Sequence, residues 1–222
     1  MGCDIHCFVE KRNKTGKWEK ITGFIGQQYD PKDNYFYKEE YRNLDSPLDG
    51  RNYVTFSLLA DVHNNYGLNM YDTGHMVNPI SEQKGIPSDV CDEIRQEIEF
   101  WDGDGYGHSY LNAKEIANYD KNSIVKIRGY VTSDGYKLFL KNGYPEWWCG
   151  GVGGINTIKV ENKDCIKFQN DNPNMNVYTK IEWETTAVKS SSWLFGDCLN
   201  QLIDRSENGL GDDVRIVFWF DN

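Results

Sequence analysis

No stretch of this 222-residue chain approaches the roughly 18 consecutive apolar residues that a membrane-spanning helix requires. Its start has neither the basic opening nor the apolar middle of an export leader, so a cytoplasmic location is expected. No C-x-x-C pair occurs among Cys3, Cys7, Cys91, Cys149, Cys165 and Cys198, and without an export signal all six read as reduced thiols. Basic residues are in the minority, 24 Lys and Arg against 34 Asp and Glu, which leaves a net charge of −10. Binding to bulk DNA or RNA needs a basic face and is not expected, whereas a small nucleotide in a local pocket stays open. No G-x-x-x-x-G-K-[ST] run is present, so there is no P-loop. Imidazoles are few: His6, His63, His75 and His108. No repeat or linker divides the chain, so residues 1–222 are expected to form one domain.

What is there begins at the N-terminus. Met1-Gly2-Cys3-Asp4-Ile5-His6-Cys7-Phe8-Val9-Glu10 alternates like a strand. Cys3, Ile5, Cys7 and Val9 fall on an apolar face; Asp4, His6, Phe8 and Glu10 fall on the other. A carboxylate beside a histidine fixes its tautomer and orientation, as a general acid or base requires. Cys3, His6 and Cys7 look like part of a zinc set, but alternation turns His6 away from both thiols. Asp102-Gly103-Asp104-Gly105 resembles a calcium loop without the remaining ligands. No metal or cofactor is expected.

A turn at Asn13–Lys17 returns the chain through Trp18–Ile21 as a hairpin. Residues 23–50 are irregular and aromatic-rich. Helices are predicted over 51–64 with Asn52 as cap, over 89–101 with Ser88 as cap, over 113–119 from an Asn112/Glu115 capping box, and over 193–204 after Ser190–Ser192. Strands are predicted at Ile124–Val131 and Tyr136–Leu140, joined by a Ser133-Asp134-Gly135 turn, then at Asn176–Glu184 and Asp213–Phe220. The segment 143–156, with Trp147, Trp148 and four glycines within 150–154, is a loop whose backbone can approach a ligand closely. The fold class expected is α+β: a mostly antiparallel or mixed sheet holding both terminal strands, covered by about four helices.

Several of these patterns together resemble one family. They are the Met1–His6 opening with Glu10, Gly16-Lys17-Trp18, Arg51-Asn52-Tyr53 leading into Phe56–Val62, Pro79-Ile80 with Gly85-Ile86-Pro87, His108-Ser109-Tyr110-Leu111, and the ending Val214–Asn222. This is similar to a widespread family of bacteriophage and bacterial proteins that begin "MGCDIH". The resemblance implies a cytosolic, phage-encoded, single-domain α+β protein, without a settled activity. The chain departs from the family pattern at His63, where relatives often carry Arg, and over 107–111, which is shorter than the usual His-Ser-x-Ser-Trp-Leu.

Three functions follow as expectations. The first is metal-independent cleavage of a cyclic dinucleotide immune signal, with His6 and His108 as acid and base and Asp4 or Glu10 orienting His6. Glu10, Arg51, Asn52, Tyr53, His63, Ser109 and Tyr110 would then bind the ligand, and Trp147 and Trp148 would stack on a base. The second is a non-catalytic sponge for a cyclic dinucleotide or cyclic ADP-ribose-type signal, using the same residues. The third is an acidic protein-interaction or virion accessory protein. The partner expected is a small nucleotide rather than bulk nucleic acid or a membrane, and a homo-oligomer is compatible with all three.

Overall fold

The last strand is the hub of the sheet that carries both termini. Its sequence, Val214-Arg215-Ile216-Val217-Phe218-Trp219-Phe220, is apolar at nearly every position, as a strand covered on both faces must be. The computed structural model describes residues 2–27, 42–64, 72–101 and 103–221. In chain order the elements are β1 (Asp4–Arg12), β2 (Trp18–Ile21), α1 (Tyr53–Ala60), β3 (Gly74–Met76), α2 (Asp92–Phe100), β4 (Tyr106–Asn112), α3 (Ala113–Asn118), β5 (Ile124–Thr132), α4 (Ser133–Asn142), β6 (Thr157–Val160), α5 (Asn162–Asp171), β7 (Asn176–Thr186), α6 (Ala187–Ser190), α7 (Leu199–Asp204) and β8 (Val214–Asp221).

The described residues form an α+β fold with two four-stranded sheets rather than one. The first has the order β2-β1-β8-β4 and is antiparallel throughout. The second has the order β3-β5-β7-β6, with β6 parallel to β7 and α5 as the crossover between them. One buried cluster joins the two. It takes Cys3 just before β1, Cys7 and Val9 from β1 and Ile216, Phe218 and Phe220 from β8, and reaches Val125, Ile127, Ile181 and Trp183 of the second sheet. The opposite face of β8 puts Val217 and Trp219 against Ile94 and Ile98 of α2. The alternation read from the first ten residues therefore holds, but β1 lies inside the sheet, and Glu10 on its polar face is fully buried.

Several elements differ from the sequence reading. Tyr136–Leu140 is helical, not a strand. Thr132 caps α4 by accepting from the Gly135 N–H, and Gly143 closes it at φ +78°. Tyr136 and Phe139, three residues apart, pack on the core, while Leu138 and Leu140 are exposed. Residues 106–112, for which the sequence predicts no element, are β4. The N-cap of α2 is Cys91, not Ser88. Helix α1 ends at Ala60, and His63 lies beyond it in the left-handed region at φ +58°. No side chain of Ser190–Ser192 caps the last helical stretch, which opens with a π-helical turn, Leu194–Cys198. Asn52 and the Asn112/Glu115 box cap α1 and α3 as expected. Seven α-helices are described where about four are expected, the additional ones being α4, α5 and the short α6. Much of the aromatic segment, residues 28–41, and residues 65–71 lie outside the described residues.

Candidate functional site

The register of the first sheet decides which polar residues meet. In antiparallel pairing, directly opposed residues point to the same face. Asp4 opposes Asp221, His6 opposes Trp219, and Glu10 opposes Arg215. The even face of β1 therefore continues across β8, under α2. A bulge between Tyr106 and Ser109 lets β4 bring His108 to the same tryptophan from the other side.

Trp219 is fully buried, and both histidines stack beside it. The His6 ring centroid lies 5.4 Å away at 15°, and the His108 centroid 5.9 Å away at 17°. The two imidazoles are no farther apart than the sum of those distances. His6 is also covered by Trp101, the C-cap of α2, at 4.2 Å. Its Nε2 is buried and stands 3.4 Å from Asp221 Oδ2, within ion-pair range but without hydrogen-bond alignment. The His6 side chain is 22% exposed, so its open surface belongs to the rest of the ring, where Nδ1 is the only other titratable atom. His108 is half-buried and makes no hydrogen bond among the described residues. Desolvation holds its pKa below the ordinary imidazole value, so it is neutral at pH 7. Gly105 covers the pair: a Cβ there would stand 2.9 Å from Trp219 Cδ1 and 3.4 Å from His108 Nε2.

The residue beside His6 is thus Asp221, not Asp4. Asp4 instead accepts from Arg51, at 2.9 Å from Nε and 2.6 Å from Nη2, on the surface. Gly2 leaves no room for a side chain against Arg51 Nη1. Tyr53 fixes this corner: its hydroxyl accepts from the Cys3 N–H at 3.3 Å, and its ring packs on His63 at 4.8 Å. Asn52 is committed to capping α1 and to the Ser190 carbonyl.

The remaining sequence candidates lie elsewhere. Glu10 is at the far end of β1, in a buried ion pair with Arg215 at 2.6 Å, and does not orient His6. Ser109 is buried and accepts from the Lys84 N–H. Tyr110 is stacked between the Lys84 ammonium at 4.9 Å and the Arg215 guanidinium at 5.4 Å. Trp147 and Trp148 lie in the segment between α4 and β6, beside the second sheet. Trp148 packs over Gly129 and edge-on to Trp183 at 5.4 Å, lining a cleft of about 580 Å³ with Tyr144 and Lys189. Trp147 is exposed. Neither tryptophan shares the histidine face. His63 and His75 form a separate pair near Ser57, whose hydroxyl is 2.6 Å from His75 Nε2.

Sequence reasoning missed Trp219, Asp221, Trp101 and Gly105. The signal that could have found the first two is the apolar C-terminal strand, once paired in register with β1. Among the described residues, no group of three or more His, Cys, Asp or Glu is placed to hold a metal ion. No helix among them is long and apolar enough to cross a membrane. No family model matches the chain, and comparison with curated proteins and with solved structures gives no match.

Proposed function

We propose that the His6–Trp219–His108 face is a general acid–base site that cleaves the phosphodiester of a small cyclic nucleotide without a metal ion. One observation carries this reading: two histidines distant in sequence stack on one buried tryptophan, with a carboxylate at the buried nitrogen of one of them. Such a pair has two unlike roles. His108, neutral because burial disfavours its charge, takes the proton of a ribose 2′-OH. The 2′-oxygen then bonds to phosphorus as the bond to the 5′-oxygen breaks. His6, oriented by Asp221 and forming an ion pair with it when protonated, gives its proton to the departing 5′-oxygen. The products are a 2′,3′-cyclic phosphate and a free 5′-hydroxyl. Arg51, which Asp4 holds through Nε and Nη2 at the start of β1, would supply Nη1 to the phosphate.

The phage origin rests on the resemblance to the "MGCDIH" proteins, and the choice of a cyclic dinucleotide signal rests on analogy with the roles of small phage proteins in general. The test is incubation of the purified chain with cyclic dinucleotides and cyclic ADP-ribose isomers in EDTA, followed by chromatography before and after heat denaturation. New products in EDTA are expected. A compound that vanishes from solution and returns intact on denaturation makes the protein a sponge instead. No change in any compound removes the nucleotide reading and leaves a protein partner.

A further inference from the structure

We propose that the opposite end of the same sheet face is a second site, one that binds the anionic group of a small molecule, a phosphate or a carboxylate. It lies at the Arg12 end of β1, six residues from His6, and does not depend on the histidine chemistry.

A cavity of about 300 Å³ opens there, lined by Arg12, Trp18, Asp89, Tyr110, Asn112 and Arg215 among others. Its floor is rigid. Arg215 is 4% exposed and held from three sides: Nε donates to Glu10 Oε2 at 2.6 Å, Nη1 donates to Asp89 Oδ1 at 2.9 Å, and the guanidinium lies 4.0 Å over the Trp18 ring. Glu10 also accepts from the Cys91 N–H at 2.7 Å, so the buried carboxylate is fixed as well. Arg12, opposite Trp18 in the register, lies over the same indole at 4.6 Å.

The free donors and occupied acceptors of the cavity define the ligand class. Both carboxylates on the cavity wall are occupied. Asp89 accepts from Arg215 and from Trp18 Nε1 at 2.9 Å. Asp212 accepts from Asn208 Nδ2 at 3.0 Å and has the Lys114 ammonium 3.9 Å away. The unused capacity is almost all donor. Arg215 Nη2 is buried and has no acceptor. Asn112 uses its Oδ1 to cap α3, which leaves its Nδ2 hydrogens free. The Arg12 guanidinium has no carboxylate within ion-pair range among the described residues. A buried donor without an acceptor is costly, and a planar or tetrahedral oxyanion would satisfy several of these at once. The volume suits a small ligand rather than a polymer.

The Trp18 indole N–H, hydrogen-bonded at the cavity wall, is the reporter. The full chain is titrated with sodium phosphate and, separately, sodium succinate, with sodium chloride at matched ionic strength as control, and the indole resonance is followed by nitrogen-edited NMR. A saturable shift that chloride does not reproduce is expected. Response to phosphate alone assigns a phosphoryl ligand, response to succinate alone a carboxylate, and response to both a general oxyanion site. Arg12→Gln is expected to weaken the response at least about tenfold. Asn112→Asp keeps the helix cap, places a carboxylate where the amide donors stand, and is expected to abolish it. The proposal is overturned if neither anion gives a saturable shift, if chloride gives the same one, or if both variants bind as the parent does.

Discussion

Burial keeps His75 neutral. Its ring lies inside the protein with Nε2 2.6 Å from Ser57 Oγ, and desolvation lowers its pKa from 6.5 to about 4. Ser57 Oγ also lies 2.9 Å from the Tyr53 carbonyl and 2.8 Å from the Val62 carbonyl. Both carbonyls can only accept, so the hydroxyl gives its one hydrogen to a carbonyl and accepts from the imidazole N–H. The pair fastens the end of α1 to β3 and is not arranged as a nucleophile with its base. Its pH signature has a definite sign. Below pH 6.5 the unfolded chain takes up a proton that the folded chain refuses until about pH 4. Stability therefore falls as pH drops through that window, by about 3 kcal/mol in all. Urea unfolding of the parent and of His75→Asn at pH 7.5 and 4.5 checks this: the variant should lose less on acidification. Equal losses would show that His75 contributes nothing to the slope.

At the scale of elements, the join between β1, β8 and α2 is made by Glu10 and Arg215. Glu10 has no exposed surface, and it accepts both from Arg215 and from the Cys91 N–H that begins α2. Removing it strands a buried guanidinium. Glu10→Ala should cost about 3–5 kcal/mol in urea unfolding. Lys11→Ala, which removes an exposed contact 3.8 Å from Glu207, should cost under about 1 kcal/mol. Comparable costs would mean that the buried pair does not tie these elements together. The same region shows what patterning reveals and what it hides. β1 was legible because small apolar residues alternate strictly over its length. β4 was not, since Tyr106-Gly107-His108-Ser109 contains a bulge that breaks the alternation. Residues 133–142 present apolar side chains at both two- and three-residue spacings. The Thr132 cap and the Gly143 closure decide for a helix there, and those depend on backbone conformation.

At the scale of the molecule, the chain closes on itself by placing its first and last strands side by side. The apolar C-terminal stretch predicts that both terminal strands share one sheet; that they are direct neighbours sets the candidate site. The histidines themselves were legible as chemistry-bearing residues, but their neighbours were not. A one-residue slip of register would exchange Trp219 for Phe218 or Phe220 opposite His6 and turn it to the other face, so the partner depends on register rather than on residue type. For the same reason Asp4 and Asp221 could not be told apart in sequence as the carboxylate beside His6. Trp147 and Trp148 read in sequence as platforms for a base, yet they lie between α4 and β6, and Trp148 packs on the second sheet, where Gly129 leaves space for it.

The most direct test of the two-histidine site is the turnover of His6→Ala and His108→Ala on whichever cyclic nucleotide the parent cleaves, measured beside their unfolding midpoints and ligand affinities. The account predicts that each variant folds, still binds the nucleotide, and loses about 10²- to 10⁴-fold in rate. Turnover at the parental rate in both folded variants would contradict it.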